Sequence, residues 1–243
     1  MSQFMDLIRL PNFGLGVAKG QFDDISHTHR FGAVPAMSQN TSGTVWDVND
    51  TVYPWATWAT ADTLTIPAVN ASDDGKSLII NGLDANYDIL SETVTVSSSS
   101  TVTTTGEFKR VHSAYMHNGS AVNVAAILIQ KGGTTVAKIS AGKGQTLMAV
   151  YTIPAGYTGY ILKGTCTCQS GADATGEMYV RLFGEESFNV GHTFEVSGTG
   201  GEYTYDFAVP VKIPEKSDID VRATVRSNNA RVTAAFDILL DYD

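Results

Sequence analysis

Alternation is the clearest signal in this chain. In "DIDVRATV" (218–225), Ile219, Val221, Ala223 and Val225 alternate with Asp218, Asp220, Arg222 and Thr224. A period of two places the first set on one face of a strand and the second on the other, one toward a core and one toward water. The run "VNVAAILIQ" (122–130) is apolar on both faces, which predicts a central strand or an interface strand. No long segment carries apolar residues at i, i+3, i+4 and i+7, so the pattern predicts almost no helix. Short extended runs, from 44–47 to 231–241, are separated by clusters of Gly, Asn, Asp and Ser. The expected fold is therefore all-β: antiparallel β-sandwich or jelly-roll modules with an irregular N-terminal arm. Each half of 41–243 holds enough strands for a small sandwich, which suggests modules at 41–150 and 151–243. One continuous sandwich over 41–243 is the alternative.

Local sequence sets several turns. In "IINGLDANYDILSETVTV" (79–96), Asp84, Asn86 and Asp88 are spaced like the start of a calcium loop. Such a loop needs Gly at its sixth position and a bidentate carboxylate at its twelfth; Ile89 and Thr95 stand there instead. A hairpin turning at Asn81-Gly82, prolonged by Asp84 and Asn86, fits the same letters. "TVSSSSTVTTT" (95–105) reads as an exposed hairpin. Residues 1–40 mix aromatic and aliphatic residues with glycine and follow neither period. An apolar but irregular segment cannot form a core by itself, so it is expected to act as an anchoring arm docked on a partner, through Phe13, Leu15, Phe22 and Phe31.

Composition narrows the function classes. Charged residues make up only 17% of the 243, hydrophobic residues 43%, and the net charge is −9. An acidic chain without a Lys/Arg run repels phosphate backbones, so nucleic acid is not an expected partner. No apolar stretch reaches the roughly 20 residues that cross a bilayer, so no membrane partner is expected. The start lacks a basic region and is cut by Pro11, unlike a secretory signal.

Candidate chemistry is sparse. "SAGKGQT" (140–146) misses the phosphate-loop spacing, because Gly144 follows Lys143 and Ala137 stands where the first Gly belongs. Cys166 and Cys168 lack further zinc ligands nearby and read as reduced core thiols. His27 and His29 could share a metal on one face of an extended segment, but a third ligand is missing. No catalytic residue, metal or cofactor is expected. The stretch "VWDVNDTVYPWATWAT" (45–60) gathers all three tryptophans, Trp46, Trp55 and Trp58, with Tyr53. Such a cluster caps a sandwich core, packs between subunits, or stacks on sugar rings.

Several blocks carry a family likeness. "TVWDVNDTVYPW", "INGLDANYDILSETVTV", "GQTLMAVYTIPAGYTGYI" and "IPEKSDIDVRATV", followed by "FDILL", resemble in content and order a family of β-rich virion structural proteins of tailed bacteriophages, common among phages of marine bacteria. The resemblance runs from about residue 30 to the C-terminus. It implies a structural, non-enzymatic role in the virion, as head decoration, head fibre, or neck or tail component. The implied partners are other virion proteins (capsid, neck or tail) and further copies of the chain as a homo-oligomer, a trimer being one candidate. Assembly would take place in the host cytoplasm. A receptor- or glycan-binding appendage that uses Tyr53, Trp55 and Trp58 on a host-surface glycan is the alternative role.

Overall fold

The computed structural model describes residues 13–117, 119–169, 171–197, 201–227 and 229–242. Residues 1–12 of the expected arm lie outside this set. Strands are numbered in chain order. β1 (Ile25–Met37), β16 (Ala230–Tyr242), β11 (Tyr157–Cys168) and β14 (Glu202–Ile213) form one sheet in that order. β10 (Val150–Thr152), β15 (Asp218–Val225), β12 (Ala174–Arg181) and β13 (Asn189–Val196) form a second, with β2 (Ser42–Thr44) also on β15. These two sheets enclose a core that includes Val34, Ile161, Met178, Val221, Phe236 and Ile238. A third sheet runs β6 (Val102–Phe108), β3 (Asp62–Ile66), β8 (Ile127–Lys131), β9 (Thr134–Ile139). A fourth runs β5 (Ile89–Thr95), β4 (Ser77–Leu83), β7 (Arg110–Met116). They close on a second core with Leu64, Ile80, Phe108, Ile127 and Ile129. The ladders between these strands are antiparallel. The fold is all-β. β8, from the two-faced apolar run, is a central strand, with Ile127 and Ile129 fully buried.

Much of the expected arm is a strand. Ile25–Met37 pairs along β16 from Ile25↔Asp241 to Met37↔Ala230. Its apolar pattern looks irregular for two reasons. A Cβ on Gly32 would stand 1.9 Å from the Val45 carbonyl oxygen, so only glycine fits where the chain crosses. The register then shifts between Val34 and Met37, around Pro35, which cannot donate to a ladder. β1 is an edge strand, where both features are tolerated. Ahead of it, Phe13–Ala18 forms one short helix.

Two turn expectations also change. Asn81 and Gly82 lie inside β4, and the chain reverses at 84–88. There Asp84 Oδ1 accepts from the backbone N–H groups of Asn86 (2.8 Å) and Asp88 (3.0 Å), an Asx turn in which the carboxylate serves the loop's own backbone. Gly82 is needed because the Arg110 carbonyl oxygen of β7 would lie 1.9 Å from its Cβ, at the register shift between Asn81 and Gly82. The serine-rich run is not a hairpin. β5 pairs with β4 while β6 pairs with β3, so 97–100 arches between two sheets.

These contacts give a direct test. Gly82→Ala is expected to lose about 1–3 kcal/mol in urea denaturation, because a backbone oxygen cannot yield as a side chain can. Gly164→Ala on β11, where a Cβ meets nothing within 4 Å, should leave the midpoint nearly unchanged.

Candidate functional site

The tryptophan stretch folds into the junction of the two sandwiches. Pro54 precedes a 3₁₀ turn over Trp55–Ala59, which sends Trp55 and Trp58 inward. Trp46, Tyr53, Trp55 and Trp58 are 1%, 2%, 8% and 2% exposed, so no ring face is open to a sugar or to another subunit. Tyr53 sits edge-on to Trp46 and Trp55, with centroids 5.1 and 4.7 Å away, and stacks on Trp58 at 6.4 Å. Each polar edge is matched. Trp58 Nε1 donates to the Tyr53 hydroxyl (3.0 Å), Trp46 Nε1 to the Thr51 carbonyl (3.2 Å), and Trp55 Nε1 to Asp220 Oδ2 (2.9 Å). The cluster is a core feature, and the sugar-stacking role considered for Tyr53, Trp55 and Trp58 has no surface here.

That last bond leads to the charged heart of the molecule. The polar face of "DIDVRATV", expected to be wet, is covered: Asp218 is 3% exposed and Asp220 is fully buried. β15 is hemmed in by β10, β2 and β12 along its edges, and the 45–60 stretch with β7 covers its second face. Asp218 accepts from Arg110 Nε (2.9 Å) and Nη2 (3.1 Å), from Arg181 Nη2 (2.6 Å) and Nε (3.1 Å), and from the Thr152 hydroxyl (2.6 Å). Asp220 accepts from Arg222 Nε (2.8 Å), the Thr44 hydroxyl (2.8 Å) and Trp55. The guanidinium carbons of Arg110 and Arg181 lie 5.6 and 5.5 Å from the Trp55 ring. Burial pushes the Asp220 carboxyl upward against the pull of Arg222 and its donors. Burial works to lower the Arg110 guanidinium, and the hydrogen bonds and charge of Asp218 overcome it, leaving a net rise.

Other candidates resolve one by one. His27 and His29 both reach Asp237 Oδ1, at 3.2 and 2.7 Å, across the β1–β16 ladder. Among the described residues no group of three or more His, Cys, Asp or Glu is arranged to hold a metal. Cys166 and Cys168 are buried free thiols; burial lifts Cys166 to about 12, far from a reactive thiolate. The loop of "SAGKGQT" is pinned by Asn123, which donates to the Ile139 and Ser140 carbonyls and accepts from Gly144 N–H. Of the arm residues, Phe13 packs on Phe22 at 5.5 Å, Leu15 is 50% exposed, and Phe31 stands on β1 at the rim of a cleft. The structure thus separates the eight sequence candidates into a buried aromatic quartet and a surface group around the N-terminal segment.

Residues that sequence reasoning passed over hold the junction: Arg110, Arg181, Asp218 and Asp220. Their one sequence signal is the concentration of charges within strands of a chain otherwise poor in charge. His112 joins them. It is buried, and burial first, then the charges of Arg30 and Arg110, push its imidazole well below 6.5.

No protein-family model matches this chain, and no curated protein matches it. Among solved structures, Eiger TNF from S. frugiperda aligns over 76% of this chain and 94% of its own, at 8% identity and a TM-score of 0.24. The cowpea mosaic virus top component aligns over 76% and 82%, at 9% identity and 0.23. The infectious bursal disease virus VP2 subviral particle aligns over 100% and 78%, at 9% identity and 0.23.

Two measurements probe the junction. Asp218→Ala strands two arginines beside a vacated carboxylate site and is expected to cost about 3–5 kcal/mol in chemical denaturation. Removing Asp206 from its exposed 3.8 Å pair with Lys163 should change little. The second concerns pH. Below about 6.5 the unfolded chain takes up a proton at His112 that the folded chain refuses, so stability falls as pH drops. His112→Gln should flatten that limb by up to about 1.4 kcal/mol per pH unit in denaturation midpoints read across pH 4 to 7, a range set by the imidazole's ordinary pKa.

Proposed function

We propose that this chain is a non-enzymatic structural component of a tailed-phage virion, a head decoration or fibre or a neck or tail accessory protein. In this reading it docks through the segment ahead of β1 and assembles as a homo-oligomer. The observation that carries it is the buried junction. The carboxylates and arginines that converge in this fold are committed to one another: Arg110–Asp218 crosses between the two sandwiches, and Arg181–Asp218 and Arg222–Asp220 brace the same acids from within their own sheet. That arrangement suits a part that bears load and repeats in a symmetric particle. The blocks that resemble those of β-rich phage virion proteins support the same reading.

The anchor proposed is shorter than the arm expected from sequence. An arm running to residue 40 would include β1, and removing β1 would strip an edge strand and open the first core at Val34 and Met37. The anchor proposed here is accordingly limited to residues 1–24, a stretch that includes the half-exposed Leu15. Docking of such a segment offsets its ordering entropy by burying apolar surface on the partner.

A truncation series tests this. Deleting residues 1–24 should leave a cooperatively folding oligomer that no longer joins particles when supplied in trans. Deleting residues 1–37 should abolish folding. Normal incorporation of the shorter deletion, counted by mass spectrometry of purified particles, would refute the anchor.

A further inference from the structure

Largely buried arginines in this chain come with acids. Arg110 and Arg181 share Asp218, and Arg222 holds Asp220. Arg30 departs from the pattern. Its Nη1 donates to the His112 carbonyl (3.1 Å) and its Nη2 to the Thr28 hydroxyl (3.0 Å), while its guanidinium lies 5.0 Å from the Tyr151 ring centroid. Those partners are neutral. Its Nε–H is buried without an acceptor among the described residues. A partly buried cation whose partners are all neutral is a charge without a counter-ion.

Beside it lies a cavity of about 280 Å³, open at one side. It runs between β1 and β7 and is lined by His29, Arg30, Phe31, His112, Tyr115 and Gln145 among others. None of its lining residues is acidic. Its size is at the lower end of ligand pockets and suits a small group more than an extended molecule. Its electrostatics favour an anion. The charges of Arg30 and Arg110 help hold His112 neutral, and burial lowers the hold of Arg30 on its own proton. A carboxylate at the cleft would balance the Arg30 charge, since ionised acceptors make the stronger bonds to guanidinium.

We propose that the cleft between β1 and β7 is a carboxylate-binding site with Arg30 as its cationic partner. Two sources supply that chemistry: a small free carboxylate, or an Asp or Glu side chain from a second copy of this chain. The excess of acids over bases, 25 against 16, gives each copy carboxylates to offer. The carboxylate assignment is independent of the virion reading; only the second-copy source rests on it.

Arginine-labelled full-length protein provides the test, through the NMR signal of Arg30 Nε–H, assigned in the wild type by its through-bond couplings to the Arg30 backbone. Sodium acetate is titrated at constant ionic strength against sodium chloride. A free-carboxylate site gives a saturable movement of that signal with acetate and none with chloride. Acetate should also raise the melting temperature of the wild type but not of Arg30→Gln. A second-copy site instead shows the signal already displaced at high protein concentration. It returns on dilution, and Arg30→Gln weakens self-association in sedimentation by about tenfold or more. Either pattern supports the site. An Arg30 signal indifferent to acetate and to dilution, with unchanged self-association in Arg30→Gln, overturns it. Because the signal is read in the wild type, a poorly folding variant does not rescue the idea.

Discussion

The carboxylate of Asp218 is the contact on which the rest of the molecule depends. It takes hydrogen bonds from two arginines and a threonine that arrive on three strands, β7, β12 and β10, with β15 supplying the acid. One of those strands belongs to the second sandwich and the others to the first, so a single buried ion ties the two cores. Ions in such a place are costly to desolvate, and the arrangement holds only because every donor is aimed and both arginines are matched. The aromatic quartet around Tyr53 is the other half of the same device. It excludes water from the acids, and Trp55 lends Asp220 an indole N–H while lying close to two guanidinium groups.

The network also explains why the junction is specific. Apolar surfaces alone would let two sandwiches slide or rotate, since hydrophobic burial has no direction. Hydrogen bonds from planar guanidinium groups to fixed carboxylates do have direction. Glycines at the crossings have a related role: Gly32 against Val45 and Gly82 against Arg110 let backbones meet where any side chain would hold them apart. The result is a junction whose acids face inward, Asp218 and Asp220 being buried. Arg30 stands apart as a charge at the open side of the same seam.

How much of this was legible in the sequence depends on the range of the interaction. Alternation and two-faced apolar runs marked the strands, because side-chain period is a property of a few consecutive residues. The absence of helical periodicity marked the class. Local turn chemistry was legible too, in that Asp84 does cap a turn. Where glycine was read as a turn at Asn81-Gly82, the physical demand came from β7, distant in sequence, and nothing local could distinguish the two. The irregular look of 25–37 had the same origin, a crossing at Gly32 and a bulge at Pro35.

Strand content and the apolar faces of this protein were therefore determined by sequence alone, since they follow from the covalent geometry of neighbouring residues. Which face of β15 would be wet was decided only by tertiary structure. Asp218 and Asp220 look like solvent positions until Arg110, Arg181 and Trp55, brought from far along the chain, close over them and make their burial tolerable.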